Sequence, residues 1–299
     1  MAADDNSVDV VLFSYPRLPL DLERTIFEIS ALSRPRRIPN LMLVAQRVCT
    51  WVEPLMYRVV YLDYADVPDG MPPFTWSIFM RLLVTKPPEF FRNSVKHLLL
   101  GSSSLGSLQD DIRLILRTCT GITGFFDFQG VHASKLNFLD SLQRVTVNLS
   151  DLFSIQSSMD FSSPVFRNIT HLEILDDAPK TSLACIAQLP HLTHFAFNTS
   201  NFCVRLATEV LPTCSAIECI VFLSHPDDAP GLAVLQALLD DERFVPIWQS
   251  DCIADWHRGA TGGVDYQVVA EGFIQARRTR KIQSITRYIS DDDMSWYQL

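Results

Sequence analysis

No apolar run in this chain approaches the roughly 18 residues that a membrane-spanning helix needs, so a helical membrane protein is not expected. The first residues, Met1-Ala-Ala-Asp-Asp-Asn, are acidic where a secretory leader would be basic. Positive charge is in short supply: 25 Lys and Arg stand against 34 Asp and Glu, for a net charge of −9. A surface of that sign repels phosphate, which disfavours general nucleic-acid binding. None of the seven cysteines has CxxC spacing, and their number is odd, so neither a zinc ribbon nor a disulfide framework is indicated. Most sit among apolar neighbours, as buried reduced thiols do. The expectation is an intracellular protein, cytoplasmic or nuclear, with neither membrane nor nucleic acid as a partner. The sequons at Asn148, Asn168 and Asn198 are inert in that setting.

Motifs of catalysis are also missing. The chain has no GxGxxG, P-loop, HExxH or GxSxG, and Gly101-Ser-Ser-Ser-Leu-Gly106 fails the last by spacing. The sharpest candidate for chemistry is His171 with His194, on neighbouring strands with Glu173 or Cys219 nearby. That is too few convergent ligands for a metal site. No catalytic residue, cofactor or metal is expected, and the protein does not read as an enzyme.

What is present is a large apolar fraction, 47% of 299 residues. It suffices for one or two folded domains or one elongated array. Residues 1–15 carry no pattern. Pro19 and Asp21 then favour a helix start, since Pro fits a first turn and a carboxylate suits the positive end of the helix dipole. Leu22, Ile26, Phe27 and Ile29 recur at helical spacing. Ser33-Arg34-Pro35 ends that helix. A second is expected from Ile38-Pro39 through Val48, and a third short segment around Trp51, Pro54, Leu55 and Tyr57.

Leu18-Pro19-(x)2-Leu22-(x)3-Ile26-Phe27, followed by an apolar helix with Val44, Val48, Cys49 and Trp51, resembles an F-box. The segment from Leu18 to about Leu62 is similar to the F-box-like N-terminus common in proteins of mushroom-forming fungi. The resemblance implies a three-helix unit that docks on the Skp-type adaptor of cullin–RING ubiquitin ligases, with Leu18, Pro19, Leu22, Ile26 and Phe27 facing the adaptor. The alternative is that these helices only cap the next domain.

A Pro- and Gly-containing stretch, Asp63 to Pro73, marks a boundary. Beyond it, apolar-x-x-apolar-x-apolar begins at Val95, Ile122, Leu142, Ile169, Leu192 and Ile217, with gaps of 27, 20, 27, 23 and 25. Helical stretches lie between. Periods of about 20–29 residues with one strand each characterise leucine-rich repeats, and the body resembles the repeat region often found behind F-boxes. A plain α/β layer is the other reading.

Strand side chains alternate between faces. The third and fifth template positions therefore share the face opposite the core. They form one row of His97, Gly124, Arg144, His171, His194 and Cys219, and a second of Leu99, Phe126, Thr146, Glu173, Ala196 and Val221. An exposed apolar row rimmed by polar groups suits protein binding. The client-binding candidates are His97, Leu99, Phe126, Arg144, His171, Glu173, His194 and Val221, facing a client of unknown identity. Cover by a loop or the C-terminal segment is the other reading.

Residues 244–249 could add a last strand. Asp255 to Gly263 reads as a loop with tight turns, and Tyr266 to Ile289 as one or two amphipathic helices. The expected architecture is α/β. An F-box-like helical segment (16–62) and a linker with a helix (63–90) precede an irregular leucine-rich-repeat-like solenoid (91–250), closed by a helical C-terminal cap (251–299). The expected function is a non-catalytic interaction adaptor, in the ubiquitin-ligase reading its substrate-recognition subunit.

Overall fold

Each template places apolar side chains on alternate positions of a short segment, and each becomes a strand. A computed structural model describes residues 18–62, 74–101, 109–153, 160–176, 183–228, 230–282 and 288–291. The strands are β1 (Val59–Leu62), β2 (His97–Leu100), β3 (Gly124–Asp127), β4 (Arg144–Val147), β5 (His171–Ile174), β6 (His194–Phe197), β7 (Cys219–Ser224), β8 (Phe244–Trp248) and β9 (Ile289–Ser290). They form a single parallel sheet in chain order. The register aligns Arg144 with His171, His171 with His194, and His194 with Cys219, so both rows read from the sequence are true rows of the sheet.

The α-helices are α1 (Leu20–Ser33), α2 (Ile38–Met42), α3 (Gln46–Met56), α4 (Trp76–Thr85), α5 (Pro88–Ser94), α6 (Gln109–Thr118), α7 (Leu149–Leu152), α8 (Phe202–Arg205), α9 (Gln236–Leu239), α10 (Cys252–Ala260) and α11 (Tyr266–Arg278). The chain divides into two compact units, one ending at Leu55 and the other starting at Met56. In the first, α1 to α3 supply the helices, and Glu23 on α1 accepts from Arg47 on α3 at 2.7 Å. In the second, the first sheet face packs Leu98, Leu100, Phe125, Val145, Phe195 and Phe222 against α4 to α9. Aromatic side chains thicken the layer near β1 and β2, where Tyr57 stacks on Phe74 and meets Phe90 edge-on.

The second sheet face is also covered. Leu99 and Phe126 join Val59 and Tyr61 under Ala260 and Trp256 of α10. Ala196, Val221, Val245 and Ile247 lie under Val269, Ala270, Phe273 and Ile274 of α11. This overturns the expected architecture. The chain forms no leucine-rich-repeat-like solenoid behind an F-box-like segment with a helical end cap. It forms one nine-stranded all-parallel α/β sheet with helical layers on both faces, closer to Rossmann-type α/β proteins. The sheet begins at Val59, inside the stretch assigned to the N-terminal helices, and ends at Ser290, inside the stretch assigned to the cap.

The physical reason lies in the strands. β1 and β3 are buried at every position, and β2, β7 and β8 at all but one. Parallel strands covered on both faces read as such near-continuous apolar runs. Each Leu, Phe or Val on the second face is worth about 1.5–3 kcal/mol when covered, which favours docking of α10 and α11 across the face. The stretch expected to be a loop after Asp255 is largely helical for a local reason. Asp251 caps α10, accepting from the backbone N–H of Ile253 and Ala254 at 3.0 Å each. Among the described residues, no helix is long and apolar enough to cross a membrane.

Candidate functional site

The positions tied to adaptor docking lie at the start of the helical unit. Leu18 and Pro19 precede α1, and Leu22 and Ile26 follow one and two turns on; all four are exposed. Leu22 is 50% and Ile26 54% exposed, and Leu20, Ile29, Leu32, Leu43 and Val44 are exposed as well. Phe27 is half-buried and Ala31, one turn further along the same side, fully buried. α1 therefore turns Phe27 and Ala31 inward and leaves Leu18, Leu22, Ile26 and Ile29 as an outward apolar stripe.

The expected client face lies elsewhere than the surface. Leu99, Phe126, Val221 and Glu173 are buried, and His97, Arg144, His171 and His194 are partly buried. The row is contiguous, as expected, but α10 and α11 lie on it. An apolar row of this length is unstable in water, and the C-terminal segment supplies the complementary face.

The middle of this face is polar. β4 and β5 contribute Arg144, Thr146, His171 and Glu173, and the joint between α10 and α11 crosses above them. Glu173 Oε2 accepts from Thr146 Oγ1 at 3.0 Å and from the Tyr266 hydroxyl at 3.2 Å. Arg144 donates to Asp265 at 3.3 Å, and Asp265 caps α11 by accepting from the Val268 N–H at 3.0 Å. Asp255 accepts from the Tyr266 N–H at 3.1 Å and from Arg258 at 2.6 Å, and Arg258 also reaches Asp291 at 3.3 Å. The joint can lie this close because residue 259 is Gly: a Cβ there would run into the Asp265 carboxylate. Gly262 turns the chain with φ of +81°.

Two histidines form the other half of the cluster. The rings of His171 and His194 stack 4.2 Å apart at 11°. His194 Nε2 meets Glu271 of α11 at 2.8 Å, and its Nδ1 meets Thr193 Oγ1 at 2.8 Å. His97 folds over β3, where Gly124 leaves room for its ring. Burial sets the protonation of these groups. It lowers His171 to about 3, assisted by His194 and Arg144, and His97 to about 4, assisted by Arg58. It raises Glu173 to about 7 against the pull of the Thr146 hydrogen bond. Asp255 is likewise pushed up to about 7, against the Tyr266 N–H and Arg258. The Cys252 thiol rises to about 11. Burial thus favours the neutral forms of Glu173, Asp255, His97 and His171 within a hydrogen-bonded cluster that ties helices to sheet. Among the described residues, no group of three or more His, Cys, Asp or Glu could hold a metal ion.

A cleft of about 680 Å³ opens at the carboxyl ends of β3 to β8, lined by Phe128, Asn148, Asn198, Thr199, Asn201 and Gln249 among others. A second cavity of about 40 Å³ lies under the α10–α11 joint, and Glu173, Gln249 and Cys252 line both spaces. Sequence reading missed the cleft; of its two readings of the rows, client face or cover by the C-terminal segment, the structure bears out the cover. One signal was available: Phe128, Asn148, Leu175, Asn198 and Gln249 each directly follow a strand, so knowing the strands places them on one edge. No family model and no curated protein matches the chain.

Proposed function

We propose that the protein is a non-catalytic interaction adaptor whose helical unit docks on a partner of the Skp adaptor type. The observation that carries this reading is the outward stripe of Leu18, just before α1, with Leu22, Ile26 and Ile29 on it. Four apolar side chains at intervals of four, four and three residues fill an apolar groove on a partner as an amphipathic helix does. The resemblance of Leu18-Pro19-(x)2-Leu22-(x)3-Ile26-Phe27 to an F-box supplies the kind of partner. Phe27 is half-buried, so its role is to hold α1 in the unit rather than to lead the contact. In this reading the protein brings a client to a ubiquitin ligase by raising their local concentration, with no chemistry of its own. The client would approach a surface other than the covered rows of the sheet.

The test is retention of purified full-length protein on an immobilised Skp adaptor, beside the double variant Leu22→Asp, Ile26→Asp. Both positions are exposed, so the variant should keep its helical content. Retention of the wild type and at least a hundredfold weaker binding by a folded variant is the expected result. Absence of wild-type retention refutes the adaptor reading.

A further inference from the structure

The cleft at the carboxyl ends of β3 to β8 belongs to the sheet-bearing unit and is independent of the helical one. At about 680 Å³ it lies within the range of small-molecule sites, roughly 300–1,000 Å³. It lies where strand ends and the loops that follow them present side chains without burying backbone. We propose that this cleft binds a neutral, polyhydroxylated ligand of the saccharide type.

The lining specifies the chemistry. Four carboxamides, Asn148, Asn198, Asn201 and Gln249, border the space. A carboxamide sets a donor and an acceptor side by side, the pairing that vicinal hydroxyls require; Asn148 and Gln249 each donate one N–H, to Asp151 at 2.9 Å and Asp255 at 3.4 Å, and keep a second N–H and the carbonyl oxygen. Ser200, Ser224 and Ser250 add hydroxyls, and Phe128 gives an aromatic surface for the C–H face of a sugar ring. The Thr199 hydroxyl, at the wall of the cleft, is buried and has no hydrogen-bond partner among the described residues. A buried hydroxyl without a partner costs free energy, and a ligand hydroxyl would relieve that cost.

Charge excludes the main alternatives. No Lys or Arg stands among the described lining residues, and the basic group there, His225, is exposed and lies 3.5 Å from Asp227, so an anionic ligand would find little counter-charge. Of the two acidic residues, Asp228 is exposed at the rim. Glu173 is the inner one, and it is turned toward Thr146 and Tyr266. Its burial keeps it protonated up to about pH 7, so it offers little to a cation there. The Cys252 thiol, held up at about 11, is neither a nucleophile nor a soft ligand at neutral pH.

The test is isothermal titration calorimetry of the full-length protein with maltotriose, cellotriose and tri-N-acetylchitotriose, beside spermidine and inorganic phosphate. Wild type should bind at least one trisaccharide with a Kd below about 1 mM. Asn198→Ala and Gln249→Ala should each weaken that binding at least tenfold. Leu22→Asp in the helical unit should leave it unchanged. Asn198 is exposed, so its variant reports on binding rather than folding, and a urea curve matching wild type checks this. Three results overturn the proposal: no trisaccharide binds, binding survives both variants, or spermidine or phosphate binds instead in a manner that Asn198→Ala removes.

Discussion

Replacing Glu173 by Gln should make the protein more stable at neutral pH although it removes an acid from a hydrogen-bonded cluster. In the unfolded chain Glu173 ionises near its ordinary 4.5, whereas in the fold burial holds its proton up to about pH 7. Between these values the folded state binds more protons than the unfolded state, so stability falls as pH rises from about 4.5 to 7 and is level beyond. At about 1.4 kcal/mol for each pH unit, the loss attributable to this group is about 3 kcal/mol. A glutamine side chain has no proton to lose here, and its carbonyl oxygen can accept from Thr146 and Tyr266 as the Glu173 carboxyl does. The assay is urea unfolding of wild type and Glu173→Gln at pH 4.5, 5.5, 6.5 and 7.5, followed by tryptophan fluorescence. The two should be nearly equal at pH 4.5, and the variant more stable by about 3 kcal/mol at pH 7.5. His97 and His171 titrate in the opposite sense, gaining stability as pH rises toward 6.5, but they do so in both proteins and cancel in the difference. Asp255 cancels likewise, apart from its repulsion of an ionised Glu173, which the variant also removes. A stability difference independent of pH, or a variant weaker than wild type at pH 7.5, refutes the reasoning.

Other outcomes follow from the same packing. Gly259→Ala places a methyl group against the Asp265 carboxylate and should cost about 2 kcal/mol, read as a lower urea midpoint. Phe126→Ala, which empties the space beside Phe128 and Trp256, should cost about 3–5 kcal/mol in the same assay. The imidazole proton shifts of His171 in NMR spectra should stay at their neutral values from pH 8 down to pH 5, because burial holds its titration near 3. Cys119, buried and with its thiol raised to about 12, should resist a thiol reagent at pH 8 until urea unfolds the chain, as mass spectrometry of the labelled protein would show.

Much of the sheet was legible because its strands share a short template. All six starts produced strands, and spacing alone gave the row that pairs Arg144, His171 and His194. β1 escaped because Val59-Val-Tyr-Leu62 is apolar throughout, and a four-residue run without alternation does not distinguish strand from buried helix. β9 has two residues, too few for any period. α10 escaped because Gly259, Gly262 and Gly263 look like turn residues, whereas Gly259 is helical and small for the sake of Asp265. The second face left two readings open, a binding surface or a covered one, because an apolar row rimmed by His, Arg and Glu fits both. Those polar groups match a polar joint between two covering helices, a long-range pairing invisible to local pattern. The cleft was missed because loop amides carry no periodicity and gain meaning only when strand ends are aligned.

The distance in sequence between the sheet and its cover has a consequence for how the protein is made. Arg144 waits 121 residues for Asp265. At ~5–20 residues per second, a ribosome takes roughly 6–24 s to deliver it. For most of that interval Leu99 and Phe126 have been synthesised but α10, which buries them, has not. The nascent chain therefore carries a bare apolar sheet surface for many times the microseconds in which collapse occurs. Chaperone occupancy on ribosome-bound chains should rise once β3 has emerged and fall only after α11 leaves the exit tunnel.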